Sequence, residues 1–200
     1  MEKAIVNELA TVAKKINQIT VRIRNTSRTV GSGVIWYSNP RRHEVFIITN
    51  AHVATNNSAI VELWNGTVFE ARRFLFDPQQ DLAAFKINTL SLSLETSLET
   101  SLEAAIIGNP QNLRVGELVL AIGNPLDDKG AVTTGIVYKP TNQAVIADIN
   151  LYPGNSGGPL TNCLGQVVGI NTMIANGLAV AIPSTTVNQF LTTALTHGMV

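Results

Sequence analysis

The chain has 200 residues, of which 45% are hydrophobic and 14% are charged. Basic and acidic residues are equal in number, 14 of each, so no global field would attract nucleic acid or an anionic membrane. We therefore expect neither as a partner. The length suffices for one large folded unit or two small ones.

The N-terminal segment, residues 1–16, predicts an amphipathic helix. Its apolar side chains recur every three or four residues, at Ile5, Leu9, Val12 and Ile16. Charged residues interrupt them, so the segment lacks the continuous apolar stretch of a signal peptide.

Cysteine usage bears on the compartment. Cys163 is the only cysteine, so no internal disulfide can form. Disulfides are common in secreted proteins and rare in reducing compartments. Together with the missing signal peptide, this predicts a cytoplasmic protein.

Residues 17–90 predict a first antiparallel β-barrel. Short β-branched or aromatic runs alternate there with turn clusters, and no crossover helix intervenes. The predicted strands are 20–24, 33–37, 44–49, 59–64, 68–76 and 82–87.

The second half repeats this organisation. Residues 91–104 carry a Ser-Leu-Glu-Thr repeat that we interpret as a linker, although a surface loop enlarged by repetition has the same pattern. Residues 105–183 predict a second barrel, and residues 184–200 a C-terminal helix that begins at the N-cap residue Ser184 and packs on that barrel. The predicted strands of the second barrel are 118–122, 131–138, 144–149, 167–172 and 178–182.

The strongest local signal surrounds one serine, in the stretch Gly154-Asn155-Ser156-Gly157-Gly158-Pro159. Hydrolysis of an acyl bond by serine needs a hydroxyl on a tight turn, with backbone N–H groups facing the oxygen that becomes negative. Gly154 permits such a turn. A glycine-rich turn without function would look the same.

A serine nucleophile requires a base, and His52 is the best candidate of three histidines. It follows the apolar run 45–48, so it stands at a strand end beside the core. His43 lies in a charged turn, and His197 lies at the end of the last helix. A core histidine without catalytic function would also fit the position of His52.

The base in turn needs a carboxylate that orients it. Asp81 enters an apolar strand, where a buried carboxylate requires a hydrogen-bond donor. A turn aspartate would also fit this position. The remaining aspartates lie in turns or in the strand before the serine segment: Asp77, Asp127, Asp128 and Asp148.

With these residues in view, the chain resembles the HtrA/DegP family of trypsin-like serine proteases over residues 17–197. The order and spacing of several segments agree as well as the motifs themselves. The similar segments are 31–33, 49–53, 81–84, 113–116, 121–125, 132–137, 154–160, 169–172 and 181–184.

The resemblance implies a chymotrypsin-like fold of two antiparallel six-stranded β-barrels, all-β apart from the two terminal helices. It implies that Ser156 is the nucleophile, His52 the general base and Asp81 the residue that orients the base. The N–H groups of Gly154 and Ser156 would form the oxyanion hole. The implied substrates are proteins or peptides, no cofactor or metal is implied, and the matching segments correspond to a protease domain without a PDZ domain.

The resemblance also implies a pocket for the side chain before the cleaved bond. Leu151, Tyr152, Ile174 and Leu178 occupy the matching positions, so we expect a preference for small to medium aliphatic residues. Trypsin has an aspartate six residues before its serine, whereas Asn150 stands there in this chain.

Control of such a site can be anticipated from one residue. Activation by a newly cut N-terminus needs an aspartate directly before the serine, and that residue is Asn155. We therefore expect regulation through loop ordering, with a homo-oligomer or a separate regulatory domain as open alternatives.

Two other functions remain to be weighed. A catalytically silent protease fold would bind peptides or serve as a scaffold, because a fold alone does not establish a function. An esterase of the α/β-hydrolase kind lacks support, since the serine segment is not a Gly-x-Ser-x-Gly elbow and no strand-helix alternation surrounds it.

Overall fold

A computed structural model of the chain describes residues 2–24, 29–89, 102–124 and 130–196. Most of the predicted linker, residues 91–104, lies outside the described residues, as do His197, Asp127 and Asp128. The domain boundaries proposed from the sequence stay predictions.

The first half is a closed antiparallel barrel that follows an N-terminal helix. Its strands are arranged in the order β1-β2-β3-β6-β5-β4. The elements are α1 (Glu2–Ile19), β1 (Thr20–Arg24), β2 (Thr29–Asn39), β3 (Glu44–Thr49), β4 (Ser58–Glu62), β5 (Val68–Asp77) and β6 (Leu82–Asn88).

The second half is another closed antiparallel barrel, with strand order β10-β11-β12-β9-β8-β7, followed by a helix. Two six-stranded barrels and two terminal helices confirm the predicted fold class. The elements are β7 (Leu118–Gly123), β8 (Ala131–Pro140), β9 (Val145–Asp148), β10 (Pro159–Asn162), β11 (Val167–Ala175), β12 (Leu178–Pro183) and α2 (Ser184–Thr196).

Both helices cover the junction of the barrels. Ile16 and Ile19 of α1 and Val187 of α2 belong to one buried cluster with residues from both barrels. The Trp36 indole of β2 also donates to the Asn188 side chain of α2 at 2.9 Å. The last helix therefore contacts both barrels, where the sequence predicted only the second. Among the described residues, no helix has the length and apolar character to cross a membrane.

The core consists of three clusters: one inside each barrel and one between them. Strand β6 shows how the sequence builds this arrangement. Ala83, Phe85 and Ile87 fill the first barrel, while Leu82 and Ala84 face the junction. Both faces of β6 are buried, as expected for a strand whose sequence is a nearly continuous apolar run. Asp81 directly precedes this strand and lies at the junction.

Candidate active site

His52 lies in the turn that follows β3. The carbonyl of Asn50 accepts hydrogen bonds from Val53 and Ala54 at 3.2 and 3.1 Å, which closes the turn. The His52 side chain is 49% exposed, so it is not a buried core histidine. This observation removes one of the two interpretations that the sequence left open.

Asp81 is attached to this turn by both its backbone and its side chain. Its carbonyl accepts from the backbone of Ala51 and from the side chain of Asn50, both at 3.1 Å. Its carboxylate lies 2.9 and 3.0 Å from the Nδ1 atom of His52 and accepts from the His52 backbone at 3.1 Å. The imidazole is thus held in one orientation, with Nδ1 facing the carboxylate.

The backbone of Asp81 has φ 52°, in the left-handed region that non-glycine residues seldom adopt. Aspartate is among the side chains that tolerate this region. Such a conformation persists when surrounding bonds determine it, and it is common at functional sites.

The electrostatic surroundings favour a charged Asp81. Burial raises the pKa of this carboxyl, but hydrogen bonds from His52 and Thr172 and the attraction of the imidazolium outweigh burial and hold the pKa below its ordinary value. The carboxylate therefore stays ionised near neutral pH.

Thr172 of β11 is a site residue to which the sequence analysis gave no function. Its hydroxyl donates to the Asp81 carboxylate at 2.6 Å, and its carbonyl accepts from the Ser156 hydroxyl at 3.3 Å. Thr172 thus joins Asp81 of the first barrel to Ser156 of the second. Threonine is a common strand residue, and its partners are remote in sequence, so only the position in segment 169–172 pointed to it.

Ser156 stands on a turn whose shape depends on two glycines. Gly154 has φ 104° and Gly157 has φ 83°, both in the region that glycine adopts without strain. The turn is closed by hydrogen bonds from Asn155 to the Tyr152 carbonyl at 2.9 Å and from Gly158 to the Asn155 carbonyl at 3.0 Å.

Two backbone donors of this turn have no acceptor among the described residues. Among hydrogen bonds between described residues, neither the N–H of Gly154 nor that of Ser156 reaches an acceptor. Both groups are therefore free to bind an oxygen of another molecule.

The hydroxyl of Ser156 bonds to Thr172 and not to His52. Within the described part of the chain, the only hydrogen bond of Ser156 Oγ is the contact of 3.3 Å to the Thr172 carbonyl. This length exceeds the usual range of about 2.5–3.0 Å for O–H···O bonds, so the hydroxyl is weakly held.

The four predicted pocket residues do not form one group. Leu151 is 9% exposed and packs in the core of the second barrel, whereas Tyr152 and Ile174 are 50% and 55% exposed. In the β11–β12 hairpin, Ile174 pairs with Ala179 and Ala175 pairs with Leu178. Since neighbouring residues of a strand alternate between faces, Ile174 and Leu178 lie on opposite faces of this hairpin.

The other candidate residues have different surroundings. The Asp77 carboxylate accepts from the backbone of Gln79 and Gln80 at 2.9 and 3.1 Å, as in an ordinary turn. His43 has φ 53° in the turn between β2 and β3, and Asp148 is exposed. Over the described ranges, no cluster of three or more His, Cys, Asp or Glu side chains has the arrangement of a metal site.

Two closed six-stranded barrels, with an Asp–His pair from one and a serine turn from the other, define the class of chymotrypsin-like proteins. The family described as "Trypsin-like peptidase domain" matches residues 31–170. The chain therefore belongs to the trypsin-like peptidase family.

Individual relatives place the chain with the HtrA/DegP members, as the sequence predicted. It is 34% identical to "Serine protease HTRA3" of Homo sapiens, with 93% of this chain and 45% of the relative covered. It is 36% identical to "Probable periplasmic serine endoprotease DegP-like" of Chlamydia pneumoniae, with 78% and 33% covered. The chain thus spans less than half the length of these relatives.

A solved structure supports the fold independently. The structure titled "HtrA-type protease AlgW with decapeptide" has a TM-score of 0.78 to this chain, at 24% identity. The similarity covers 95% of this chain and 68% of that one.

The prediction of a cytoplasmic location is wrong. Similar proteins from Chlamydia pneumoniae, Chlamydia trachomatis and Chlamydia muridarum are named as periplasmic endoproteases, which points to a compartment outside the cytoplasm. The physical reason is that a lone cysteine does not indicate a reducing compartment, because three packed apolar clusters stabilise this chain without a disulfide.

Proposed function

We propose that the chain is a serine endopeptidase that cleaves peptide bonds through an acyl-enzyme formed on Ser156. The observation that carries this proposal is the Asp81–His52 pair, with a contact of 2.9 Å, joined to Ser156 through Thr172. Membership in the trypsin-like peptidase family supports the same activity.

In the acylation step, Ser156 Oγ attacks the carbonyl carbon of the scissile bond, and His52 accepts the hydroxyl proton at Nε2. The carbonyl oxygen becomes negative and is bound by the N–H groups of Gly154 and Ser156, which have no acceptor within the described part of the chain. The carbon–nitrogen bond then breaks, and His52 returns the proton to the leaving amine.

In the deacylation step, water attacks the ester carbon while His52 accepts a proton from the water. The bond between Ser156 Oγ and the acyl group breaks, and the proton returns to Oγ. Asp81 stays ionised throughout and stabilises the imidazolium, which agrees with the lowered pKa of this carboxyl.

The pocket for the residue before the cut is proposed to be apolar. Ile174 shares a face of its hairpin with the buried Ala179, and it extends this apolar face to the exposed end of the barrel. Leu151 lies in the same core cluster as Ala179, and Tyr152 follows at the surface. With Leu178 on the opposite hairpin face, we assign the pocket to Leu151, Tyr152 and Ile174.

The test is the hydrolysis of unfolded casein. The wild type should cleave it, while Ser156→Ala and His52→Ala should each lose activity by about 10⁴-fold or more. A matched control is His43→Asn, which removes a histidine from a turn outside the site and should keep full activity. Mass spectrometry of the products should show aliphatic residues before the cuts, and cleavage mainly after Lys or Arg would contradict the apolar pocket.

A second candidate is a silent peptide-binding or scaffold module. It is favoured by one observation, the hydrogen bond of Ser156 to Thr172 instead of His52. In that case the wild type and Ser156→Ala would bind casein equally, and neither would cleave it. Control by a homo-oligomer or a separate regulatory domain also stays a proposal.

A further inference from the structure

We propose that Ser32 of β2 is a positioning residue for the oxyanion hole: its hydroxyl fixes the peptide unit that follows Gly154. This inference rests on the proposed peptidase activity. The residue belongs to the first barrel, whereas the turn that it holds belongs to the second.

Ser32 contacts the serine turn at two carbonyls, which follow the Gly154 N–H and lie on either side of the Ser156 N–H. Its hydroxyl donates to the carbonyl of Gly154 at 2.7 Å, and its backbone N–H donates to the carbonyl of Ser156 at 2.8 Å. One residue therefore binds the carbonyls of the same two residues whose N–H groups would bind the oxyanion.

The direction of the Ser32 hydroxyl is determined by Asn124. A serine hydroxyl has one hydrogen to donate and two lone pairs that accept. The backbone and side-chain nitrogens of Asn124 both donate to Ser32 Oγ, at 3.0 and 3.1 Å. With both lone pairs occupied, the hydrogen is directed to the Gly154 carbonyl.

This bond completes the restraint of one peptide unit. The unit between Gly154 and Asn155 is held at its N–H by the Tyr152 carbonyl, at 2.9 Å, and at its carbonyl by Ser32. The N–H of Gly154 belongs to the preceding peptide unit, which is joined to this one through Gly154, and glycine has the widest backbone freedom of all residues. The Ser32 hydroxyl holds the unit on the C-terminal side of Gly154, so the Gly154 N–H moves against a fixed neighbour.

The Ser32 hydroxyl lies where β2 packs against the serine turn. Ser32 is 0% exposed and Asn124 is 5% exposed, so the donor end of the bond is buried, while the bond to the half-buried Gly154 is partly buried. A Cβ atom on Gly31 would lie 2.9 Å from the Ser156 carbonyl, which shows how closely β2 packs against the serine turn. Loss of the Ser32 hydroxyl would remove a hydrogen bond from this partly buried carbonyl.

The test measures the rate at which a fluorophosphonate labels Ser156 as its concentration is raised. Fluorophosphonate labelling needs no known substrate, and the reagent's phosphoryl oxygen occupies the oxyanion hole. Ser32→Ala should lower the maximal labelling rate by about 10-fold to 100-fold, less than the roughly 100-fold to 1,000-fold cost of deleting an oxyanion donor. The half-saturating concentration should change less than about 2-fold, because the reagent's initial binding does not use the hole.

The matched control is Ser184→Ala. Ser184 is also 0% exposed, and its hydroxyl also donates to a backbone carbonyl, that of Gly108, at 2.7 Å. This variant loses the same kind of bond far from the serine turn and should keep the wild-type labelling rate. Should Ser32→Ala fail to fold, Ser32→Cys takes its place in the labelling experiment, because a thiol fills similar space but donates only weakly.

The outcomes separate this inference from the proposed function. A wild type that is not labelled refutes the peptidase itself. A labelled wild type combined with a folded Ser32→Ala or Ser32→Cys of equal maximal rate refutes the positioning role of Ser32. An equal loss of rate in Ser184→Ala also refutes it, because the effect would then reflect general loosening.

Discussion

Among single residues, Asp81 has the most fully determined surroundings. Five groups reach its carboxylate or carbonyl from two parts of the chain: four belong to Asn50, Ala51 and His52 in the turn after β3, and the fifth is the hydroxyl of Thr172 in β11. These bonds fix the imidazole of His52 and keep the carboxylate ionised. Both effects depend on the negative charge, which leads to two predictions.

The first prediction concerns turnover. Asp81→Asn preserves shape but removes the charge that holds the proton on Nδ1 of His52, so the imidazole no longer presents an acceptor to Ser156. The rate of casein hydrolysis should fall about 10⁴-fold. Circular dichroism should show an unchanged fold, and a folded variant with wild-type turnover would refute the assignment of Asp81.

The second prediction concerns stability and pH. A carboxyl whose pKa is lowered by folding contributes stability above its unfolded pKa of about 3.9, and this contribution is lost as the pH falls through the folded pKa. The wild type should therefore be more stable than Asp81→Asn at neutral pH, and the difference should shrink in acid. Urea unfolding of both proteins at several pH values measures this difference in the free energy of unfolding. A difference that widens in acid would show that folding raises the pKa of Asp81 instead of lowering it.

At the scale of elements, the serine turn is determined by its contact with β2. A side chain at Gly157 would meet the Ser32 carbonyl and the Thr49 hydroxyl, in addition to the strain at φ 83°. Gly177 has a similar φ of 79°, but nothing lies near the position of its absent side chain. Substituting each glycine therefore distinguishes two costs: both positions share the backbone strain, but only Gly157 adds overpacking.

This comparison yields a third prediction. Gly177→Ala should lower the free energy of unfolding by about 1–2 kcal/mol, the cost of the left-handed conformation. Gly157→Ala should cost about 1–3 kcal/mol more, because the added methyl group overpacks the junction. Urea denaturation of both variants measures the costs, and equal costs would mean that β2 does not confine the turn.

The sequence predicted the elements of this fold better than the contacts between them. Eleven strands were predicted from β-branched runs bounded by turns, whereas β10 was missed, since it has only four residues and begins at Pro159. His52 and Asp81 were found because polar side chains at the ends of apolar runs are conspicuous. Thr172 and Ser32 were assigned no function because their partners come from remote segments, which local patterns do not reveal.

For the whole molecule, the cluster between the barrels decides whether they unfold together. It combines residues of both barrels with both helices, and the proposed site lies at the same junction. Ile122 of β7 is fully buried in this cluster. Loosening it should therefore affect both barrels.

The fourth prediction follows from this shared core. Ile122→Ala should cost about 2–5 kcal/mol and lower the midpoint of one cooperative transition, measured by calorimetry. The control Leu164→Ala changes a side chain that is 72% exposed and should cost less than about 0.5 kcal/mol. Two separate transitions in the wild type would show that the barrels fold independently.

The most direct measurement of the central claim is fluorophosphonate labelling of the intact protein, located by mass spectrometry. Attack by Ser156 Oγ forms an oxygen–phosphorus bond and expels fluoride, while His52 takes the proton. We predict one adduct, on Ser156, that is absent in His52→Ala. A folded wild type that stays unlabelled at every pH, or an adduct on another residue, would contradict the proposed active site.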